Sequence, residues 1–556
     1  MADADSRPLV AQSDGTLLLE VESPSYAKAR DLLSGFAQLE RSPEYIHTYR
    51  LTPLSLWNAA AVGLDYQAIE AGLVALSRYP VPKPVLDFVR EQIDRYGRVK
   101  LLPGANGELR IASDDPNVLV EAAGDSQVAS LLLGRRGGEL RIAARDRGAL
   151  KQAMVHLGYP LDDLCGYVDG GPLPVSIRER TSGGEAFGLR PYQRDAIEAF
   201  HAGGGPRGGA GVVVLPCGAG KTVVGMGAMA RVGARTLVLT TSTLAVHQWI
   251  EELLDKTTIE PGSVGEYTGV RKDVRPVTVA TYQMLTHRPS KAGDFPHLEL
   301  MRDAGWGLII YDEVHMLPAP VFRATSEIQA RRRLGLTATL VREDGREDDV
   351  FALIGPKRFE VPWKVLEVQG FIAQASCTEV RVELSDKRRV AYALAERKDK
   401  FRLAAENPAK VRLVKELLAE HAQEPALVIG QYLDQLGTIS RDLGLPLVTG
   451  ATQNAERERL FDRFRNGELR VLVVSKVANF AIDLPDASLL VQVSGTFGSR
   501  QEEAQRLGRI LRPKARPSVF YTLVSRDTVE QDFARNRQMY LVEQGYRYRI
   551  VNAPAK

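Results

Sequence analysis

Short apolar runs alternate with helical patterns of polar and apolar residues over most of the chain. From Gly211 onward the runs are GVVVL, TLVLT, VTVAT, LIIYD and RLGLTAT, and a second series of ALVIG, PLVTG, RVLVVS and LLVQVS begins near Ala426. Buried strands separated by helices are typical of a parallel sheet that is covered on both faces. The pattern therefore predicts an α/β protein with two parallel-sheet domains in tandem, although no convincing repeated motif connects the two series.

The residues before Gly211 follow a mixed pattern. An apolar strand at 17–22 is followed by helical spacing at 54–78 and 83–96, which predicts an α/β accessory domain. The turn-rich segments PGANGE and SDDPN separate it from a smaller domain. We expect a helix at 191–202 ahead of the first parallel sheet. The predicted boundaries are 1–117 and 118–178 for the accessory domains, 179–365 and 416–556 for the parallel-sheet domains, and 366–415 for an insertion between them.

Composition narrows the class of protein. Hydrophobic residues make up 44% and charged residues 25% of the 556 residues, which is the balance of a globular chain long enough for several domains. Apolar runs stay below the roughly 18 residues that a membrane span needs, and the N-terminus has no leader pattern. The three cysteines lack zinc-ligand spacing. We therefore expect a cytoplasmic protein with reduced thiols and no membrane partner.

The segment LPCGAGKT follows the first strand of the first series and precedes a helical run. Backbone N–H groups in such a turn and at a helix N-terminus can surround phosphate oxygens, and small residues let the backbone approach. Lys221 can reach the outer phosphates, and the Thr222 hydroxyl can bind Mg²⁺. Leu215 stands where the general pattern has its first glycine. The residues assigned to the nucleotide are Pro216, Cys217, Gly218, Ala219, Gly220, Lys221 and Thr222.

Asp312 and Glu313 stand side by side at the end of the apolar run LIIYD. Ligands of open parallel sheets bind at this carboxyl edge, so Asp312 would hold Mg²⁺ and Glu313 would orient or deprotonate the attacking water. A Gly-Lys-Thr arises easily by chance, and two adjacent carboxylates usually mark a solvated turn. Their combination, each after its own apolar strand, indicates hydrolysis of ATP with Mg²⁺ as cofactor.

The run DEVH resembles the DExH box of superfamily 2 helicases, and further motifs stand in the order of that superfamily. LRPYQ is similar to the Q motif, which implies that Gln193 binds the adenine and that Arg190 supports the nucleotide pocket. LTTSTLAVHQW, VATYQML and LTAT resemble motifs that contact DNA or couple hydrolysis to domain movement. The resemblance implies RecA-like folds for both parallel-sheet domains. It implies DNA or coupling roles for Thr243, Thr281, His315, Thr337 and Thr339.

Two segments of the second domain resemble later motifs of the same superfamily. The positions in VVSKVANFAIDLP that match motif V are Ser475, Lys476 and Asp483. QRLGRILR is similar to motif VI, which implies that Gln505 meets the γ-phosphate and that Arg509 and Arg512 are arginine fingers. A guanidinium from a second domain stabilises the transferring phosphoryl group only when the cleft is closed. ATP would then control closure, and hydrolysis would reopen the cleft.

The run LVRED contains Arg342, Glu343 and Asp344 directly after the LTAT motif. With LPCGAGKT, DEVH and EEAQRLGRILR, this run closely resembles the XPB family of DNA repair helicases, of the bacterial or archaeal type, over about residues 186–530. The resemblance implies 3′ to 5′ unwinding or opening of duplex DNA in nucleotide excision repair. It also implies that the Arg-Glu-Asp run helps to split the duplex and that domain 118–178 senses distorted DNA.

The pattern of residues 385–415 predicts helix, and this segment contains ten Lys or Arg residues and four acidic ones. The family has a helical thumb between its motor halves, and a basic helix in that place can grip phosphates. Charged helix faces are more often simply solvated, and a net charge of +3 permits DNA binding without establishing it. We single out Arg388 and Arg389 as predicted DNA contacts.

Several activities share this set of motifs. The main hypothesis is a monomeric helicase that acts on single-stranded and duplex or forked DNA at the nucleoid, with a nuclease or repair protein as partner. One alternative is a duplex DNA translocase that does not separate strands. Another is an ATP-switched scaffold that opens DNA for a nuclease. An RNA helicase is a further alternative, because contacts to the sugar-phosphate backbone do not exclude RNA.

Overall fold

The described part of the chain forms four sheets, of which the last two are parallel. A computed structural model gives the positions of residues 7–41, 45–105, 108–165, 170–205, 208–216, 218–287, 296–314, 328, 330–338, 347–361, 363–475, 487–495, 517–543 and 548–554. The chain divides into two units, Met1–Val214 with Gly220–Glu360 and Leu215–Ala219 with Val361–Lys556. The first unit contains three of the sheets, and the second unit contains the fourth.

The N-terminal sheet has four antiparallel strands in the order β1-β2-β4-β3. Its elements are β1 Leu9–Ala11, β2 Thr16–Glu20, α1 Tyr26–Ser34, β3 Gln38–Arg41, β4 Ile46–Arg50, α2 Pro53–Ala61, α3 Tyr66–Leu76 and α4 Lys83–Arg95. Helix α2 begins at Pro53 because the Thr52 hydroxyl accepts a hydrogen bond from the Ser55 N–H and proline suits the first helical position. Gly63, with a φ of +94°, lies in the break between α2 and α3, where the sequence predicts one helical stretch at 54–78.

The second sheet has five strands in the order β7-β8-β6-β5-β9. Its elements are β5 Val99–Pro103, β6 Glu108–Ser113, α5 Pro116–Gly124, α6 Ser126–Ala129, β7 Leu132–Arg136, β8 Glu139–Ala143, α7 Arg147–His156 and β9 Leu161–Asp163. The turn-rich segment PGANGE joins the antiparallel strands β5 and β6. The boundary predicted at residue 118 therefore falls within the stretch that forms this sheet.

The third sheet has seven strands in the order β12-β13-β11-β14-β15-β10-β16, and every strand pair is parallel. Its strands are β10 Ala210–Val214, β11 Thr236–Thr240, β12 Val264–Tyr267, β13 Val277–Thr281, β14 Leu308–Asp312, β15 Arg332–Thr337 and β16 Lys357–Glu360. Its helices are α8 Pro191–His201, α9 Lys221–Val232, α10 Thr243–Lys256, α11 Tyr282–Thr286, α12 Pro296–Asp303 and α13 Glu347–Leu353. All five residues of β11 and of β13 are buried, which explains their unbroken apolar character.

The fourth sheet also has seven strands, in the order β19-β20-β18-β21-β22-β17-β23, and again every strand pair is parallel. Its strands are β17 Ala375–Val382, β18 Ala426–Gly430, β19 Leu447–Val448, β20 Val471–Ser475, β21 Leu489–Gln492, β22 Ser518–Ser525 and β23 Tyr548–Asn552. The helices are α14 Trp363–Val368, α15 Asp386–Leu394, α16 Arg397–Ala405, α17 Ala409–Glu420, α18 Leu433–Leu443, α19 Asn454–Arg465 and α20 Val529–Glu543.

The two seven-stranded sheets have the same topology. Numbered within each sheet by chain order, both run 3-4-2-5-6-1-7. The prediction of two tandem parallel-sheet domains is confirmed, since every apolar run of both series falls on a strand. The helices expected at 83–96 and 191–202 are confirmed as α4 and α8, and the strand expected at 17–22 is β2. The strands β12, β16, β17, β22 and β23 were not anticipated.

Helices of both accessory domains pack in one cluster with helix α13 of the third sheet's domain. Trp57 of α2, Val155 of α7 and Ala352 of α13 form one buried apolar cluster. The Gln152 side-chain amide donates a hydrogen bond to Asp349 Oδ1 at 3.1 Å. Because α13 follows the LVRED run closely in the sequence, the accessory domains hold the helix that begins just after that run.

Among the described residues, no single helix is long and apolar enough to cross a membrane. The pair Pro53–Ala61 and Tyr66–Leu76 meets the length and composition criteria only when taken together, and it is bent by 118°.

Candidate functional site

The LPCGAGKT segment connects β10 to α9, at the carboxyl end of its strand. Gly218 and Gly220 have φ angles of +80° and +78°, a conformation that glycine adopts without the strain that a side chain would add. The Ala219 N–H donates to the Pro216 carbonyl at 3.1 Å. Lys221 is the first residue of α9 and follows its N-cap, Gly220. The segment thus has a glycine turn that leads directly into a helix N-terminus, the geometry in which backbone N–H groups bind anions.

Lys221 and Glu313 form an ion pair, with 2.8 Å between Nζ and Oε1. Their side chains are 11% and 21% exposed, so the pair is reachable from solvent but largely desolvated. Glu313 has a φ of +52°, and strained backbone of this kind is concentrated at functional sites. Thr222, the second residue of α9, is half-buried. The structure therefore brings together the lysine and the carboxylate that the sequence assigned to catalysis.

Asp312 is the last residue of β14, next to Glu313. The Trp249 indole N–H donates to Asp312 Oδ2 at 2.9 Å, and the Tyr282 hydroxyl donates to the Asp312 carbonyl at 2.7 Å. Burial, with the Glu313 carboxylate adding to it, raises the pKa of Asp312 to about 6, whereas Lys221 and the Trp249 N–H oppose the rise. A divalent cation would favour the charged form of such a carboxylate and would therefore oppose this rise in the pKa of Asp312.

Gln193 lies against the glycine turn. It is 3% exposed, and its Oε1 accepts a hydrogen bond from the Arg190 N–H at 2.9 Å. A Cβ on Gly220 would lie 2.6 Å from Gln193 Nε2, so the glycine is needed for this approach as well as for its φ. The Arg190 guanidinium donates to the Tyr192 hydroxyl at 3.2 Å. The predicted Q-motif residues are thus close to the phosphate turn.

Three of the predicted coupling and DNA residues lie at the carboxyl edge of the third sheet. Thr337 ends β15 beside Val214, the last residue of β10, and is fully buried. Thr243 is the first residue of α10 and is exposed. Thr281 ends β13 and is 6% exposed. Of the two predicted DNA contacts at this edge, Thr243 is therefore the accessible one.

Three further predicted residues lie in the described part of the second unit. Ser475 ends β20, and its buried hydroxyl has no hydrogen-bond partner among the described residues. Arg388 of α15 donates to the Leu403 carbonyl of α16 at 2.9 Å. Arg389 is exposed. Arg388 thus ties two helices of the basic insertion together, whereas Arg389 is directed to a surface position.

Eleven of the predicted residues lie outside the described part of the chain. They are Cys217, His315, Thr339, Arg342, Glu343, Asp344, Lys476, Asp483, Gln505, Arg509 and Arg512. Their assignments stay predictions from the motifs.

Two residues that contact the site were absent from the sequence-based set. Trp249 and Tyr282 both donate to Asp312. Each belongs to a motif that the sequence singled out, LTTSTLAVHQW and VATYQML, but an aromatic residue on an apolar face is usually a core residue. A polar atom on an otherwise apolar aromatic ring is the available signal, because a buried indole or phenol needs a hydrogen-bond partner.

In the part of the chain that the structure describes, no group of three or more His, Cys, Asp or Glu residues could hold a metal ion by itself. Cys165 and Cys377 are buried. A metal at the Asp312 site would therefore share its coordination among Asp312, a hydroxyl and oxygens that the protein does not supply. Such a coordination set suits Mg²⁺, which commonly binds one or two protein ligands together with substrate phosphates.

Family models match three parts of the chain. Residues 366–556 match the ERCC3/RAD25/XPB C-terminal helicase family, and residues 186–342 match the type III restriction enzyme, res subunit. Residues 9–137 match a family described as a helicase conserved C-terminal domain. That last match falls on the two accessory sheets rather than on a parallel sheet.

Full-length relatives also match. The chain is 54% identical to the DNA 3′-5′ helicase XPB of Kineococcus radiotolerans, covering 98% of this chain and 96% of that protein. It is 51% identical to the DNA 3′-5′ helicase XPB of Mycobacterium tuberculosis, with 98% of each chain covered. It is 34% identical to the general transcription and DNA repair factor IIH helicase/translocase subunit XPB of Antonospora locustae, covering 98% of this chain and 82% of that one.

Proposed function

This chain belongs to the XPB family of helicases, and on that premise we propose that it is an ATP-dependent DNA helicase of 3′ to 5′ direction. It hydrolyses ATP to unwind or open duplex DNA, in nucleotide excision repair. The proposal extends to this chain the activity in the names of two relatives that are more than half identical to it along their length.

The observation that carries the ATP-driven part is the Lys221–Glu313 ion pair at the carboxyl edge of the third sheet. In the proposal, the outer phosphates of ATP replace Glu313 as the partner of Lys221. The released Glu313 carboxylate then orients the attacking water and accepts its proton. Its strained backbone and its position beside the lysine support this role.

The residues present fit Mg²⁺. Asp312 supplies a half-buried carboxylate whose pKa is raised to about 6, and Thr222 supplies a hydroxyl at the start of α9. Hard oxygen ligands of this kind are those that Mg²⁺ prefers. When bound, the ion would neutralise charge on the β- and γ-phosphates. Asp312 and Thr222 would hold it, and Lys221 would neutralise the remaining phosphate charge.

The second parallel-sheet domain would complete the motor. Arg509 and Arg512 would stabilise the transferring phosphoryl group, and Gln505 would sense the γ-phosphate. Closure around ATP and reopening after hydrolysis would then move a strand that both domains hold. Thr243 and the exposed Arg389 are the proposed backbone contacts among the described residues.

The proposed partners are single-stranded and duplex or forked DNA, and a nuclease or another repair protein. The proposed state is a monomer, and the proposed location is the bacterial nucleoid, since two of the closely related proteins come from bacteria. Residues 118–178 would sense distorted DNA. Their contact with α13 supports a path from that domain to the Arg342–Asp344 run, which would help to split the duplex.

A duplex translocase is the second candidate, because a eukaryotic relative bears the name helicase/translocase. A translocase displaces the third strand of a triplex without separating a duplex. Strand-displacement and triplex-displacement assays on one preparation distinguish the two activities. The Asp344→Ala variant sharpens the result, since a strand-splitting role predicts a larger loss of unwinding than of ATP hydrolysis.

The direct test is unwinding of a 3′-tailed and a 5′-tailed duplex by wild type and Lys221→Ala, with ATP hydrolysis measured in the same samples. We expect selective unwinding from the 3′ tail and its loss with Lys221→Ala. ATP hydrolysis stimulated by duplex DNA without unwinding from either tail would replace the helicase by the translocase. Unwinding that survives in Lys221→Ala would contradict the proposed ATP site.

A further inference from the structure

Asp312 receives hydrogen bonds from two buried aromatic side chains that come from different segments. The Trp249 indole N–H donates to its carboxylate at 2.9 Å, and the Tyr282 hydroxyl donates to its carbonyl at 2.7 Å. Trp249 is 2% exposed and Tyr282 is 3% exposed. Two directional contacts at such low exposure fix both the peptide and the carboxylate of this residue, because neither donor has water as an alternative partner.

The Trp249 ring also packs closely on helix α9. A Cβ on Gly225 would lie 2.5 Å from the Cη2 atom of the indole ring. Gly225 is therefore the residue that lets the ring approach the helix that begins with Lys221 and Thr222. One side chain thus contacts the helix of the phosphate turn and the carboxylate of the neighbouring strand.

The segments that carry the two aromatic residues are connected to each other and to the predicted DNA contacts. Trp249 lies on α10, which begins at the exposed Thr243 and whose N-cap, Ser242, accepts a hydrogen bond from the Ala245 N–H. Tyr282 directly follows Thr281. The Gln283 side-chain amide donates to the Thr241 carbonyl at 3.1 Å, which joins the two segments.

We propose that Trp249 and Tyr282 are positioning residues that hold Asp312 in the geometry for Mg²⁺. When DNA contacts α10 or the β13–α11 junction, the same two residues transmit the resulting movement to Asp312. The proposal rests on the assignment of Asp312 as a metal ligand in the proposed function. DNA bound at Thr243 would shift α10 or the junction, and either shift reaches Asp312 through one hydrogen bond. Residues that orient a metal ligand commonly change metal affinity by about 10–100-fold when they are replaced.

Two variants remove one donor each and keep a ring in place: Trp249→Phe and Tyr282→Phe. Matched controls are Trp306→Phe and Tyr267→Phe, because both residues are equally buried. The Trp306 N–H donates to the Met301 carbonyl at 2.7 Å, and the Tyr267 hydroxyl is paired with His297 Nδ1 at 2.7 Å. All four variants lose one hydrogen bond donated or shared by a buried aromatic side chain, but only the first two lose it at Asp312.

The first measurement is the binding of a fluorescent non-hydrolysable ATP analogue as a function of Mg²⁺ concentration. We expect the half-saturating Mg²⁺ concentration to rise by about 10-fold in Trp249→Phe, by a similar or smaller factor in Tyr282→Phe, and not in the controls. Thermal unfolding of all four variants identifies a general loss of structure. If Trp249→Phe does not fold, Tyr282→Phe, which removes one oxygen atom, decides the outcome.

The second measurement is the ratio of ATP hydrolysis with and without single-stranded DNA at saturating Mg²⁺. We expect the ratio to fall in both variants and to stay at the wild-type value in both controls. Wild-type Mg²⁺ dependence in both variants would overturn the positioning role. A shifted Mg²⁺ dependence with an unchanged DNA ratio would overturn the link to DNA.

Asp312→Asn separates this inference from the proposed function. If Asp312→Asn leaves the Mg²⁺ dependence of analogue binding unchanged, the assignment of Asp312 as a metal ligand is wrong. If Asp312→Asn shifts the dependence but the two aromatic variants do not, the assignment stands and the inference fails.

Discussion

The two seven-stranded sheets share one topology, but the connection that follows the first strand differs between them. In the third sheet, the connection from its first strand β10 to helix α9 is the short glycine turn that ends at Lys221. In the fourth sheet, the connection from β17 to the corresponding helix α17 contains the basic helices α15 and α16. The same junction thus forms a candidate phosphate site in one domain and carries a candidate DNA-binding insertion in the other.

A lysine near the start of the following helix makes the difference sharper. Lys221 of α9 pairs with Glu313, directly after β14, and stays 11% exposed. Lys410 of α17 donates to the Val493 carbonyl, directly after the topologically equivalent strand β21, and pairs with Glu530 at 2.8 Å. Both Lys410 and Glu530 are 0% exposed. The equivalent position in the second domain is therefore closed by its own ion pair.

This difference teaches that the parallel-sheet topology alone does not make a nucleotide site. The third sheet combines a glycine turn, a reachable lysine and two carboxylates at its edge. The fourth sheet has a lysine at the equivalent position, but this lysine is buried and paired with protein oxygen atoms. Its role is therefore structural. A chain with two such domains is thus expected to bind one ATP, at the third sheet.

Breaking the buried ion pair between Lys410 and Glu530 is expected to have the largest effect on the protein. Lys410→Met leaves Glu530 buried without its cation, which destabilises the second unit by about 3–5 kcal/mol. Hydrogen exchange of the backbone amides in α17 and β21 measures the loss. The matched control is Arg459→Met, which breaks the exposed pair with Glu456 and is expected to leave the protection of these amides nearly unchanged, because solvent screens such a pair. Equal protection in the two variants would contradict the structural role of the buried pair.

Removing the accessible lysine of the third sheet is expected to affect catalysis rather than stability. Lys221→Ala removes the cation that faces the phosphates and is expected to lower the rate of ATP hydrolysis by about 10²–10³-fold. Steady-state hydrolysis with saturating DNA is the measurement. Lys83→Ala, which removes an exposed lysine at the start of α4, is the control. Near-normal hydrolysis in Lys221→Ala would show that Lys221, like Lys410, has only a structural role.

Filling the glycine turn tests its geometry. Gly220→Ala places a Cβ at 2.6 Å from Gln193 Nε2, at a φ of +78°. The strain of about 1–2 kcal/mol expected for that φ alone corresponds to about 5–30-fold in nucleotide affinity. Gly63→Ala has a similar φ of +94° with no atom within 4 Å of the new Cβ. It is expected to change stability without changing the affinity for a fluorescent ATP analogue, and an equal affinity loss in both variants would refute a specific role for the turn.

The basic insertion is expected to give the smallest effect. Arg389→Ala removes an exposed charge, so the slope of log affinity for DNA against log salt falls by about 1. Arg388→Ala removes a hydrogen bond to Leu403 and is expected to destabilise the α15–α16 pair by about 1 kcal/mol. Fluorescence titration of a single-stranded DNA at several salt concentrations distinguishes the two. An unchanged slope in Arg389→Ala would leave the insertion as a solvated surface.

The sequence predicted the strands that are uniformly apolar and missed several that are not. β12 and β16 are edge strands of the third sheet, and β23 is an edge strand of the fourth. Such strands have a polar side, so their apolar pattern is weak. β17 lies inside its sheet but contains Glu379, which is 2% exposed and accepts hydrogen bonds from Arg381 and the Tyr548 hydroxyl. A partner as distant in sequence as Tyr548 cannot be read from a local pattern.

The candidate site was predictable where a motif fixes backbone geometry and not where folding supplies a partner. Lys221, Asp312 and Glu313 follow from their positions after apolar strands. The contact of Trp249 with Asp312 does not, because it depends on how α10 packs against α9 at Gly225. Similarly, nothing in the sequence distinguishes the structural Arg388 from the exposed Arg389.

The most direct test of the central claim is the number of ATP molecules that one chain binds. Isothermal titration of the full chain with a non-hydrolysable ATP analogue and Mg²⁺ gives this number, with Lys221→Ala measured in parallel. We expect one site per chain and its loss in Lys221→Ala. Two sites in the wild type, or one site retained in Lys221→Ala, would contradict the distinction between an open and a closed parallel-sheet domain.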